Sequence, residues 1–186
     1  MIVCVLTLLG GYLFKAQCTA PEGWDGRQYS RLCYNDIQPL YGIRYVEEHF
    51  PYVDGRLVDQ ELLNGAIEYP VLTGLFMWAT ARLASDINGY LHATALLLAP
   101  FAVLVAYLLA RMGRNRALMW AAAPALVLYA FHNWDLLAVA PAVGALLAAE
   151  RGAAGTTGAL LAVGTALVVE TKAAPELPAR LRPGDR

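Results

Sequence analysis

Residues 87–110 read INGYLHATALLLAPFAVLVAYLLA and run straight into RMGRNR at 111–116. The first stretch contains no Asp, Glu, Lys or Arg, so a helix built from it has no polar face. A helix that is apolar all round needs lipid, or a very large protein, around it. Within it residues 91–110 form a full-length membrane span. The second stretch sets three arginines in a short turn, and short loops rich in Arg and Lys stay on the cytoplasmic side of a membrane.

Working outward, further apolar segments cover 117–131, 136–149 and 153–169, with Asp135 the one charge between 117 and 149. Upstream, residues 1–14 form a first span closed by Lys15, whose ammonium can snorkel to the interface. A signal peptide is the other reading of this segment, but it lacks a basic leading region and a clear small-x-small cleavage site, which favours an uncleaved anchor. With 58% hydrophobic residues, 16% charged residues and a mean hydropathy of +0.45, the whole chain has a membrane profile. A net charge of -1 gives no basic surface to neutralise phosphates, which argues against nucleic acid as a partner.

The expected fold is therefore an all-α integral membrane protein with about five transmembrane helices. A first helix at 1–16 precedes a large loop region at 17–90, a four-helix membrane region at 91–169 and a Pro-rich, charge-dense tail at 170–186 that should be disordered. If the N-terminus is inside, the loop is extracytoplasmic and span 91–110 returns inward to the arginines. The apolar segment 69–84 then cannot cross and becomes a short interfacial helix. The alternative, an outside N-terminus with 69–84 crossing, places the loop in the cytoplasm. In the first topology Asp36, Glu68, Tyr69, His132, Asn133 and Asp135 share one membrane face. Trp120 and Trp134 fall near span ends, where aromatic belts form. Cys18 and Cys33 both fall in the loop, where a disulfide persists if the loop is exported; two unpaired residues are the equal alternative. No zinc spacing, phosphate loop or serine elbow is present.

The run DIQPLY (36–41), then PYVDG (51–55), EYPVLTGLFMWA (68–79) and NWDLLAV (133–139), resembles actinobacterial integral membrane proteins of glycosyltransferase family 87. Those are GT-C-type enzymes similar to polyprenyl-phosphate-mannose-dependent mannosyltransferases, and the resemblance extends over residues 1–166. It implies transfer of a hexose, mannose by analogy, from a polyprenyl-phosphate donor to an envelope glycan or glycolipid at the bacterial plasma membrane, with no metal or cofactor. An exported transferase of this kind needs a carboxylate to take the proton from the acceptor hydroxyl, and Asp36 is the candidate. Arg31 and Arg44 are candidates to stabilise the departing phosphate. Tyr34, Tyr41 and Tyr45 either stack on sugar faces or sit in the headgroup belt. Tyr41, Glu68, Tyr69, His132, Asn133 and Asp135 are the remaining substrate-binding candidates. Glu68 also reads as a helix-start acid and Asp135 as a cap of the following helix. Residues 170–186 depart from the family, which usually continues into a Lys-x-Tyr-Pro-like motif and further spans; the expectation is an incomplete enzyme. The competing class is a noncatalytic membrane protein or scaffold subunit of an envelope complex.

Overall fold

The computed structural model describes residues 1–19, 25–53, 55–58, 61–63 and 66–168. The expected disordered tail lies outside them. Among the described residues the chain is helical apart from a three-residue antiparallel ladder, β1 (Arg56–Val58) with β2 (Glu61–Leu63). The helices are α1 (Ile2–Ala16), α2 (Arg27–Ser30), α3 (Ile37–Ile43), α4 (Val71–Ala81), α5 (Ile87–Met112), α6 (Arg114–Ala121), α7 (Pro124–Tyr129), α8 (Leu136–Glu150) and α9 (Ala154–Ala166).

Helix α5 is the spine. Asp86 starts it by accepting from the backbone N–H groups of Asn88 and Gly89, at 2.9 and 2.7 Å. Its 26 residues make it the one described helix long and apolar enough to cross a membrane. At a rise of about 1.5 Å per residue it reaches about 39 Å, against the roughly 30 Å of a bilayer core. The expected span at 117–131 is broken instead into α6 and α7. Pro124 causes the break: it lacks an N–H, and it pushes Ala123 into extended backbone at ψ 125°.

The contacts fix the helix directions. Cys4 Sγ approaches the Ala102 carbonyl and Tyr12 pairs with His92, so α1 runs antiparallel to α5. Thr7 donates to the Ala121 carbonyl at 2.6 Å, and a Cβ at Gly11 would meet the Val127 carbonyl at 3.0 Å. Only a glycine lets α1 and α7 approach this closely. Gly144 of α8 faces Leu160 of α9 and Leu108 of α5 in the same way.

Two ends result. One carries Arg111, Arg114 and Arg116, with Arg116 paired to Glu150 at 2.6 Å. The other gathers the C-terminal ends of α1, α7 and α9, the N-terminal ends of α5 and α8, and the loop helices. Gln38 of α3 donates to Asn88 at 3.0 Å, and Thr73 of α4 donates to the Leu167 carbonyl at 3.1 Å. The core between them is Leu98, Ala102, Val105, Met77, Tyr90 and Trp134. Outside it Leu96, Leu104, Met119 and Leu161 stay exposed, and α9 buries none of its side chains.

Candidate functional site

At the end opposite the arginines, the Asp36 segment is stitched to the turn at 131–135. The backbone N–H of Asp36 donates to the His132 carbonyl at 2.7 Å. Lys15, at the end of α1, donates to the Tyr34 carbonyl at 2.5 Å and lies 3.4 Å from His132 Nδ1. Lys15 was expected to snorkel outward, yet it is 2% exposed: the disulfide-linked loop folds over it. Cys18 and Cys33 are bonded, with Cα atoms 6.2 Å apart, which resolves the open question of their pairing. The bridge ties the chain just after Lys15 to the residue just before Tyr34.

The Tyr34 ring lies 5.6 Å from that of His132. Burial lifts the Tyr34 hydroxyl above its ordinary pKa, and its hydrogen bond to Asp36 adds to the shift. Asp36 itself is half-buried at the head of α3, which its side chain does not cap. Its carboxylate is thus held beside Tyr34, with the buried Lys15 ammonium close enough to feel its charge.

Beside this cluster the structure forms a pocket of about 280 Å³ lined by Glu68, Tyr69, Thr73, Trp134, Asp135 and the Leu167–Val168 end of the described chain. The Tyr69 and Trp134 rings meet edge to face at 5.1 Å. Burial, then the neighbouring Asp36, Glu68 and Asp135 charges, hold the Tyr69 phenol well above its ordinary range, so it stays a donor at neutral pH. Asp135 occupies the N-cap position of α8 but makes no capping bond. Its carboxylate accepts instead from Asn133 Nδ2 at 2.8 Å, so the expected cap is replaced by a local Asn–Asp pair. Glu68 receives two hydrogen bonds from Arg44, at 2.8 and 2.9 Å. Burial raises its pKa, but that bidentate pairing outweighs it and leaves the carboxyl below its usual range.

Three expectations need correcting in detail. Tyr41 stands apart from Asp36: it packs on Tyr90 with ring centres 5.1 Å apart and reaches the Ala84 carbonyl. Arg31 is exposed just beyond α2, and among the described residues no ion pair joins it to the cluster. Trp134 is not a belt residue, because α8 and the loop bury it to 2% exposure. Trp120 is half-buried and donates to the Ala102 carbonyl at 3.1 Å. Sequence reasoning missed Lys15 and Trp134 as members of the site. The available signals were a lone cation closing an apolar helix and an aromatic inside the NWD run.

Among the described residues no group of three or more His, Cys, Asp or Glu is placed to hold a metal ion. Comparison with protein-family models, curated proteins and solved structures finds no match to this chain.

Proposed function

We propose that the chain is a multi-pass membrane protein whose site end faces the extracytoplasmic side, and that this end performs GT-C-like hexosyl transfer. Asp36 takes the proton from an acceptor hydroxyl as that oxygen attacks the anomeric carbon. The bond to the polyprenyl phosphate breaks, and the lipid phosphate departs. The observation that carries this reading is the convergence of Asp36 with Glu68, Tyr69, His132 and Asp135, from three separate sequence segments, at the end opposite the arginine turn.

Two features support the membrane part. The exposed leucines of α5 and the face of α9 turned away from α8, which buries no side chain, suit lipid or a partner helix better than water. The disulfide lies at the end opposite the arginines, which agrees with an oxidising outside and a positive inside. In this reading α1, the broken α6–α7 pair, α8 and α9 complete the five spans, and α4, at about 16 Å long, is the interfacial helix. The site lies in the extracytoplasmic leaflet of a bacterial plasma membrane. The second reading, a noncatalytic scaffold subunit, draws on α9, whose unburied face has room for a partner.

The test is transfer of mannose from a polyprenyl-phosphate donor in membranes carrying the protein. Asp36→Ala is expected to lower turnover by at least about 100-fold, with membrane insertion unchanged. Undiminished turnover removes Asp36 as the base.

A further inference from the structure

Away from the Asp36 cluster, the break between α6 and α7 opens a groove of about 510 Å³. Pro124 ends the first helical run, and the small side chains of Ala123 and Ala125 around it leave space that larger ones would fill. The groove is open from outside: Met119 and Tyr129 of its lining are 77% and 64% exposed, and Trp120 and Val139 are half-buried. Trp120 is anchored by its N–H bond to the Ala102 carbonyl, so its ring is a fixed wall. Arg116 and Asp135 are the charged residues of the lining, and the rest of it is apolar apart from the Tyr129 hydroxyl. Arg116 pairs with Glu150, the last residue of α8, whereas Asp135 precedes the first. About 22 Å of helix separates those two acids, so the positive and negative residues of the groove sit toward opposite ends of α8.

An apolar channel with a cation at one end has the polarity that complements an anionic lipid, and basic pockets between membrane helices on the cytoplasmic side seat anionic headgroups. Arg111, Arg114, Arg116 and Arg151 all lie at that end, against Glu150, the one acidic residue between 136 and 168. The Arg116 side chain is about half exposed, and its pair with Glu150 uses one nitrogen, so further guanidinium N–H groups are open to a phosphate. Asp135 repels an anion from the other end. The groove therefore admits a lipid headgroup from the arginine side and not the polyprenyl phosphate that hexosyl transfer needs on the opposite side. We propose that it holds an acyl chain of one anionic glycerophospholipid from the leaflet on the arginine side, with the phosphate on Arg116. The proposal rests on the membrane reading of the chain and is independent of hexosyl transfer.

The test is native mass spectrometry of the purified full chain in detergent, with phosphatidylglycerol and phosphatidylcholine of the same acyl chains as probes. One phosphatidylglycerol per chain is expected to be retained, at least about tenfold more tightly than phosphatidylcholine. Arg116→Gln should remove most of that preference. Arg151→Gln, which loses the same charge at the same end but does not line the groove, should largely keep it. Ala125→Phe, at an exposed position, fills the groove without touching a charge and should release the lipid. Equal retention of the two probes overturns the proposal, as does an equal loss in the Arg116 and Arg151 variants, or a second copy of the chain retained in place of lipid. If Arg116→Gln does not fold, undiminished phosphatidylglycerol retention by Ala125→Phe overturns it equally. Release of the chain from membranes by alkaline carbonate rejects the membrane reading and the lipid site with it. A chain that resists carbonate and shows no preference for phosphatidylglycerol rejects the lipid site alone.

Discussion

The backbone N–H of Asp36 donates to the carbonyl oxygen of His132 at 2.7 Å, joining segments that lie almost a hundred positions apart. The bond is made by backbone, so it does not depend on the side chain at either residue unless proline replaces Asp36 and removes the donor. It fixes the height of the Asp36 carboxylate relative to the turn that carries Asn133, Trp134 and Asp135. Asp36→Asn and Asp36→Ala therefore keep this backbone link between the two segments.

Lys15 is the main exception to the rule that charges stay out of interiors. Its ammonium is satisfied by the Tyr34 carbonyl and by proximity to His132. Lys15→Met removes the charged donor to the Tyr34 carbonyl, which keeps only its contact with His132 Nδ1 at 3.2 Å, and loss of a hydrogen bond from a charged group costs about 1.5–3 kcal/mol. The variant is expected to unfold at lower temperature in detergent, and thermal aggregation measured by size-exclusion chromatography checks this. An unchanged midpoint would show that Lys15 contributes nothing to holding the loop.

The Cys18–Cys33 bridge closes a loop of 15 residues. A loop of that size contributes about 3 kcal/mol by restricting the unfolded chain. Cys18→Ser with Cys33→Ser is expected to lower stability by roughly that amount and to increase protease cleavage between residues 25 and 35. Thiol alkylation under native conditions should leave both cysteines unmodified until a reductant is added. Labelling of Cys33 without reductant contradicts the bridge.

Glu68 supplies a pH dependence whose sign follows from its pairing. Its folded pKa lies below the unfolded one, because the Arg44 hydrogen bonds outweigh the burial that raises it. The stabilisation is therefore complete above the unfolded carboxylate value, about 4.3, and is lost as pH falls through the folded value. The pair is partly exposed, so its contribution is at most about 1 kcal/mol. Between pH 6 and pH 3 the wild type should lose more stability than Glu68→Gln. Parallel pH profiles for the two would mean that the ion pair is energetically silent.

Gly11 is the point of closest approach between α1 and α7, where even a Cβ would sit 3.0 Å from the Val127 carbonyl. Gly11→Leu forces the two helices apart and is expected to cost about 1–3 kcal/mol, the usual range for overpacking. Gly10, one position away, faces open space, so Gly10→Ala should be close to neutral. Comparing the two variants by thermal unfolding separates packing from helix propensity, since both replace a glycine in the same turn of α1.

Charge-free runs and turn signals determined the helical class by themselves. The run 87–110 became α5, and 136–149 became α8 to within a residue, because lack of charge and helical length are local properties that packing does not alter. The polar positions that share one end were also legible, since direction reversals along a chain of short-linked helices can be counted. Tertiary structure alone decided which of those positions meet. Whether Lys15 snorkels or is buried depends on where the loop beyond Cys18 returns, and whether Asp135 caps or faces a pocket depends on Asn133 reaching its carboxylate. Tyr41 and Asp36 are five positions apart in sequence, yet Tyr41 turns to Tyr90 while Asp36 turns to the His132 loop. Spacing gives the periodicity of a helix but not the direction in which a loop closes over it, and that closure, fixed by long-range hydrogen bonds and a disulfide, is what gathers the site.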